Sequence, residues 1–461
     1  MAESVRCLVT GATGYIGARL VPRLLDEGHR VRALARNPNK LADVPWRGRA
    51  EVARGDLGDL DSLVAAFDDV DVVYYLVHSM GASKDFAAEE GRAVRNVVAA
   101  AHRAGVRRVV YLSGLHPEGV RLSAHLESRA AVGTALIDSG IDTVVLQAGV
   151  VIGAGSASFE LIRHLTDRLP VMTTPKWVHN RIQPIAVRDV LYYLVAAATA
   201  RVPMVEKSRT WDIGGPDVLE YGDMMRVYAQ VAGLGKRYLV VLPFLTPTIA
   251  SLWVGAVTPI PPRLARPLIE SLECDAVMRN ADIDSIIDPP PGGLTPYRRA
   301  VELALDRATR GIDAATWASL RSDPAEPLPT DPDWTGETRL ATVRTTEATA
   351  EPGDVWRAVE DSVARRRLRK GWSVAEREPG SRLLLRAGRR PVGERWLDIT
   401  VAPRDGGGSE LTQRTLLLPA GLVGLLYWAL SRPSRSRALR TLARDAAAPV
   451  KHRTAGAGRA P

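Results

Sequence analysis

The sequence predicts an α/β protein in which a doubly wound parallel sheet precedes a separate, smaller α+β domain. Three observations carry this. Short apolar runs alternate with helical stretches from the N-terminus to about residue 153. A glycine-spaced turn, TGATGYIG at 10–17, joins the first run to the first helical stretch. Beyond residue 337 the pattern changes to a strand, a short helix, four further strand-like stretches and a long terminal helix.

In order, VRCLVTG (5–11) reads as a buried strand, and YIGARLVPRLLDEG (15–28) as a helix stopped by Gly28. HRVRALAR (29–36) and AEVARGDL (50–57) are the second and third strands. LDSLVAAFDDV follows as a helix, DVVYYLV (71–77) as the fourth strand and FAAEEGRAVRNVVAAAHRAG as a long helix. VRRVVYLSG (106–114) is the fifth strand. The next helix carries HLESR, beside an apolar stripe of Leu122, Leu126, Ala130, Gly133 and Ile137. DTVVLQAGVVIG (142–153) is the sixth strand. From 155 to 320 the pattern loosens into helices such as IAVRDVLYYLVAAATA and turns such as DPPPGGLTP. This part is expected to form the substrate side of a first domain spanning 1–320. RSDPAEPLPTDPDWTGE (321–337), rich in proline and acid, reads as a linker.

In the second domain, 338–446, RLATVRTTEATA is a strand and EPGDVWRAVEDSV a helix with Pro352 near its start. WSVAERE, RLLLRAG, ERWLDITVA and ELTQRTLLL are strands, and one helix runs from about Ala420 to Ala446, an α+β cup. Residues 447–461 read as a basic disordered tail.

The chain of 461 residues, 46% hydrophobic and 25% charged, has material for more than one core. Its 61 basic against 52 acidic residues leave a net charge of +9, with arginine clusters at 365–370, 431–440 and 451–453. Such clusters are either a solvated tail or a contact for an anionic membrane surface. Nucleic acid is not expected, because no aromatic–basic interleaving accompanies them. Cys7 and Cys274 form no disulfide framework, which fits a reducing cytoplasm. The N-terminus enters a strand directly, without a signal-peptide pattern. From Tyr238 to Pro262 no residue is charged, a length that could cross a bilayer. Pro243, Pro247 and Pro259 would break a single helix there, so a buried or membrane-surface segment is the favoured reading. The expected location is cytoplasmic, peripheral to the inner membrane face if the membrane is touched.

In TGATGYIG, Gly11, Gly14 and Gly17 permit a tight turn and close backbone approach at a helix N-terminus, where a pyrophosphate can sit. Ala12, Thr13, Tyr15 and Ile16 complete this loop. At the end of the second strand stands Arg36, with Lys40 nearby and no acid. A cation there accommodates a ribose 2′-phosphate, so NADP is the expected cofactor and NAD the alternative. Asp56, with Leu57, ends the third strand, where a carboxylate can accept from the adenine amino group. Val77, His78 and Ser79 end the fourth strand, at the sheet edge where ligands bind. The histidines show no ligand spacing, and no metal is expected.

By these residues the first 315 positions resemble the extended, atypical short-chain dehydrogenase/reductase superfamily of Rossmann-fold proteins. TGATGYIG, GDLGD, YLSG, LQAGVVIG, PIAVRDV and TWDIGGPDVLEYGDMM fall in that family's order. More closely, HSMG, HLESRAAVG, GSASFELIRHLTDRLPVM and LTPTIASLWVGAVTPIP resemble bacterial proteins that fuse such a domain to a C-terminal domain of unknown function. LLLPAGLVGLLYWAL followed by a basic helix is similar to that partner domain, which looks like a helix-grip, START-like fold. This copy is short between Val363 and Trp372.

The resemblance implies a Tyr-x-x-x-Lys on the helix after the fifth strand and a Ser at that strand's end. Ser113 occupies the latter position, but the helix carries His125 and Arg129 at the Tyr/Lys spacing. Arg129 cannot deprotonate usefully and serves as a fixed cation and donor fork. His125, expected to titrate near neutrality, is the candidate general acid. The expected function is an NADP(H)-dependent oxidoreductase lacking the usual Tyr-x-x-x-Lys, acting on an apolar or quinone-like carbonyl. The alternative is a non-catalytic NAD(P)H-binding sensor or membrane-complex accessory protein.

Overall fold

The computed structural model describes residues 4–77, 86–203, 208–242, 252, 254–255, 257–310, 328–332, 335, 340–365, 372–390, 392–405, 407–419 and 421–447. They fall into two compact units, Met1–Gly336 and Glu337–Pro461.

The first unit is built on seven strands: β1 (Arg6–Val9), β2 (Arg30–Ala35), β3 (Glu51–Arg54), β4 (Val72–Tyr75), β5 (Arg108–Gly114), β6 (Asp142–Ala148) and β7 (Ser208–Ile213). All neighbours pair in parallel, in the spatial order β3-β2-β1-β4-β5-β6-β7. Successive side chains alternate between two cores. Cys7, Val9, Val72, Tyr74, Val110, Val144 and Leu146 pack on one face with α1 (Tyr15–Asp26) and α6 (Val187–Ala197). Leu8, Val73, Tyr75, Val109, Tyr111 and Val145 pack on the other with α2 (Leu60–Phe67), α3 (Phe86–Ala104) and α4 (Ala124–Ile137). The parallel order reverses between β1 and β4, which leaves a crevice at their carboxyl ends. Thr10 clasps that crevice: its Oγ1 donates to the Tyr74 carbonyl oxygen (2.8 Å) and accepts from the Leu76 N–H (3.1 Å).

Four local expectations are corrected. The third strand stops at Arg54, because Asp56 turns the chain by accepting the Gly58 N–H on its Oδ1 (2.9 Å). The sixth stops at Ala148; a Cβ on Gly149 would lie 2.5 Å from the Gln183 carbonyl oxygen, so this position leaves the sheet beside another chain segment. The HLESR helix buries Leu126, Ser128, Val132, Gly133 and Leu136, while Leu122, Ala130 and Ile137 are only half-buried. The seventh strand arises inside 155–320, so that region contributes to the sheet itself.

The late region adds α5 (Ala157–Arg168), α7 (Tyr221–Val231), α8 (Pro262–Glu270) and α9 (Tyr297–Arg310). The charge-free segment opens as a short strand, Tyr238–Val241, paired in parallel with Val171–Thr174, and α8 begins at its end. Residues 243–250 lie outside the described residues. No helix among the described residues is long and apolar enough to cross a membrane. Within 321–337, residues 328–332 pack on the first unit: the buried Asp331 receives Arg19 of α1 through two hydrogen bonds, 2.8 and 2.6 Å.

The second unit is a five-stranded antiparallel sheet of β8 (Leu340–Ala348), β9 (Trp372–Glu378), β10 (Arg382–Arg390), β11 (Gly393–Pro403) and β12 (Ser409–Pro419), in the order β8-β12-β11-β10-β9. Val355, Trp356 and Val359 of α10 (Pro352–Arg365) share its core with Leu383, Ile399 and Leu411. The single terminal helix expected is two, α11 (Gly421–Leu430) and α12 (Arg432–Ala447). Pro433 has no N–H to continue the ladder, and the break falls just before it. Residues 448–461 lie outside the described residues.

Candidate functional site

The glycine turn forms at the β1–β4 crevice. Gly11 adopts a positive φ of 68° and its carbonyl accepts the Gly14 N–H (2.8 Å). A Cβ on Gly17 would lie 2.3 Å from the Gly11 carbonyl oxygen, so only glycine lets α1 start this close to the loop. Gly14 caps α1 without a side-chain hydrogen bond, and no acidic residue stands in the first turn. The amide end of the helix dipole therefore faces the crevice, as an anion requires.

A cavity of about 340 Å³ occupies that crevice. Of the expected cofactor residues it is lined by Gly11, Thr13, Gly14, Tyr15, Ile16, Gly17, Arg36, Leu57 and Val77. Ala12 is fully buried in the core instead, and Asp56 is exposed at the rim between the lining residues Gly55 and Leu57. His78 lies outside the described residues. Arg36 is exposed and its guanidinium has no ion pair or hydrogen bond with a described residue. The backbone cradle, the α1 terminus and a cation beside the second strand fit a dinucleotide phosphate set.

A second cavity, about 290 Å³, adjoins the first and shares Tyr15, Ile16, Leu112 and Arg129 with it. Ser113 and His125 line this chamber; its other walls are mainly apolar, among them Leu115, Leu161, Ile162, Leu165, Ile182 and Met225. The three expected catalytic residues are thus gathered at one chamber, with Arg129 on the boundary. Arg129 is held in place: it donates to the Leu112 carbonyl oxygen and its guanidinium lies 5.8 Å from the centre of the Tyr111 ring. The Tyr111 hydroxyl in turn donates to the Arg129 carbonyl oxygen (3.2 Å). Tyr15 is fixed by the Arg19 guanidinium, 4.2 Å above its ring.

The expectation that His125 titrates near neutrality is corrected. Burial, and then the adjacent Arg129 cation, push its pKa down from 6.5 to about 4. At neutral pH it is an uncharged imidazole, able to donate one N–H but not to act as an imidazolium acid. The chamber residues Trp177, Tyr221, Met225, Leu268, Leu272 and Ala276 were not found from sequence. The one available signal was Tyr221 and Met225 at i, i+4 spacing on a single helix. Among the described residues no group of three His, Cys, Asp or Glu side chains could hold a metal ion.

Comparisons with known proteins agree with this geometry. Residues 11–161 match a family described as NAD(P)H-binding, and residues 334–441 match a protein family of unknown function, DUF2867. The first unit therefore carries an NAD(P)H-binding Rossmann domain. The chain is 39% identical over 122 residues to a 3 beta-hydroxysteroid dehydrogenase/Delta 5-->4-isomerase of Mycobacterium tuberculosis, 24% of this chain and 32% of that protein. It is 25% identical over 242 residues to cinnamoyl-CoA reductase 1 of Arabidopsis thaliana, 44% of this chain and 70% of the relative. The match thus spans only about a third of the first of these relatives. Among solved structures, the Citrobacter sp. triphenylmethane reductase superposes with a TM-score of 0.51 at 20% identity, covering 65% of this chain and 99% of that one. The NADPH-dependent quinone oxidoreductase of Escherichia coli, complexed with NADPH, gives 0.50 at 18%, covering 64% and 98%. These likenesses establish the fold.

Proposed function

We propose that the first unit is an NADP(H)-dependent oxidoreductase that reduces an apolar, quinone-like carbonyl compound. The carrying observation is the pair of joined cavities: a dinucleotide crevice and a mainly apolar chamber that share Tyr15, Ile16, Leu112 and Arg129. The α1 N-terminus and Gly11–Gly17 would hold the pyrophosphate and Arg36 the 2′-phosphate. Bound NADPH supplies a hydride. The protein's part is to orient the acceptor against Ser113 and His125 and to stabilise the negative charge arriving on its oxygen.

The residues present favour some acceptors over others. Arg129 offers a fixed positive charge and the neutral His125 an N–H, but neither is a ready proton donor at neutral pH. Hydride addition to a simple ketone leaves an alkoxide, whose conjugate acid is about as weak as water, and needs such a donor. Addition to a quinone leaves a phenolate, whose conjugate acid resembles tyrosine at about 10, so an electrostatic clamp is enough. The likeness to a quinone oxidoreductase fold is consistent with this reading. For the second unit, the packing of Leu439 and Ala443 of α12 with the sheet core supports a helix-grip-like arrangement.

The test is NADPH oxidation by the full chain with matched quinones and simple ketones. Turnover of quinones in preference to ketones is expected; ketones reduced equally well overturn the assignment. A second reading, a non-catalytic NAD(P)H-binding protein, is favoured by the loss of the Tyr/Lys pair at 125 and 129. Tight NADPH binding without oxidation by any acceptor of a broad panel would establish it instead.

A further inference from the structure

The second unit carries an apolar surface that its fold does not use. α11, GLVGLLYWAL, is ten residues long and contains no charge. One side of it is pinned to the sheet. Gly424 is buried, and a Cβ there would lie 2.4 Å from the Val392 carbonyl oxygen. On the same side Tyr427 is engaged by Arg395 (3.2 Å). The flank beyond Tyr427, away from Gly424, presents Val423, Leu426 and Leu430, spaced i, i+3, i+7, with 58%, 62% and 79% of their surface exposed. Isolated exposed apolar residues need no explanation, but three aligned on one uncharged helix do.

The adjoining helix defines the chemistry of a partner. α12 carries Arg437, Arg440 and Arg444 at the same i, i+3, i+7 spacing, all exposed, and Arg432 is exposed at its start. None of these four guanidinium groups has an acidic partner among the described residues. Elsewhere in the unit the contrast is plain: Arg357 pairs with Asp354, Arg377 with Glu360, Arg382 with Asp398 and Arg404 with Glu347. Trp428 adds an aromatic ring, with the Arg435 guanidinium 3.4 Å from its centre. An apolar strip ten residues long is too short to cross a bilayer but long enough to lie in its surface, and exposed arginines beside it, without acidic partners among the described residues, select anionic headgroups.

We infer that α11 and α12 form a docking surface for an anionic phospholipid bilayer, with Val423, Leu426 and Leu430 entering the headgroup–acyl boundary and the α12 arginines meeting the phosphates. This site is distinct from the charge-free 238–262 segment and independent of the proposed chemistry.

The experiment is co-sedimentation of the full chain with phosphatidylcholine vesicles, with and without about one-third phosphatidylglycerol. The unmodified chain is expected to bind only the anionic vesicles. Leu426→Gln with Leu430→Gln should weaken binding at least about 10-fold, and Arg437→Gln with Arg440→Gln about 10–30-fold with loss of salt sensitivity. NADPH affinity and the melting temperature should be unchanged in both variants, since all four side chains are exposed. No binding to anionic vesicles, or binding that survives both substitutions, overturns the inference. So does a drop in molecular mass by light scattering in the leucine variant, which would make a second copy the occupant. A lowered melting temperature in that variant also overturns it, because the strip would then be covered by the chain itself.

Discussion

Arg36, Gly17 and His125 each tie one physical requirement to one residue. Arg36 stands exposed on the dinucleotide crevice with no protein counter-ion among the described residues. A charge-assisted contact to the 2′-phosphate contributes about 1.5–3 kcal/mol. Arg36→Ala should therefore cost roughly 10–100-fold in NADPH affinity and leave NADH affinity unchanged, as measured by calorimetric titration. Equal losses for both cofactors would remove the assignment. Gly17→Ala should abolish both, because its Cβ would occupy the space of the Gly11 carbonyl. For His125 the sign of the pH effect is fixed by its depressed pKa. The folded state keeps it neutral down to about 4, while the unfolded chain protonates it near 6.5. Its contribution to stability is present above pH 6.5 and is lost as the pH falls toward 4. That loss is on the order of 2–3 kcal/mol and should vanish in His125→Phe, as denaturant unfolding at pH 7 and pH 4.5 would report. The same variant should lower turnover about 10²-fold through loss of a positioned N–H, with no effect on NADPH affinity. An activity that falls as pH rises through 6–7 would instead make the imidazolium the working form.

At the scale of elements, legibility followed burial pattern. Five of the six leading strands, β1, β2, β4, β5 and β6, were readable because both of their faces are largely buried, which writes a mainly apolar run into the sequence, whereas the edge strand β3 is exposed at Glu51 and Arg54. The seventh, SRTWDI, was not readable. Its polar members are there for partners far along the chain: the fully buried Asp212 accepts the Arg279 backbone N–H (2.8 Å) and its guanidinium (3.1 Å). The glycine loop was legible because its backbone geometry permits few residue types. The chamber was not, because its apolar walls come from segments scattered between Tyr15 and Ala276 and resemble ordinary core residues. Nor could sequence show that the HLESR histidine is desolvated beside its own arginine. The stretch read as a linker hid an element-level contact of another kind, the ion pair of Asp331 with Arg19. Both side chains are buried, at 7% and 2% exposure. Asp331→Ala should destabilise the first unit by about 3–5 kcal/mol, since the buried Arg19 guanidinium loses its carboxylate. Asp331→Leu combined with Arg19→Met should recover most of that. A full-strength fold in Asp331→Ala would show that the pair adds nothing.

On the scale of the whole molecule, each unit has its own hydrophobic core, two faces of one sheet in the first and a single inner face in the second. Heating should therefore give two calorimetric transitions. NADPH at a hundredfold excess over its Kd should stabilise the first unit by about 2.7 kcal/mol and leave the other transition in place. Movement of both would mean that the cores unfold together. The wall shared by the two cavities of the first unit has a further consequence, which is reciprocal. Tyr15, Ile16, Leu112 and Arg129 each border both spaces, so whatever settles in the crevice reshapes the chamber. Any factor by which NADP⁺ tightens the binding of an inert quinone analogue must equal the factor by which that analogue tightens NADP⁺. Measured from either side, the coupling should be the same and greater than one, and the kinetics should be ordered, with the nucleotide entering first and leaving last.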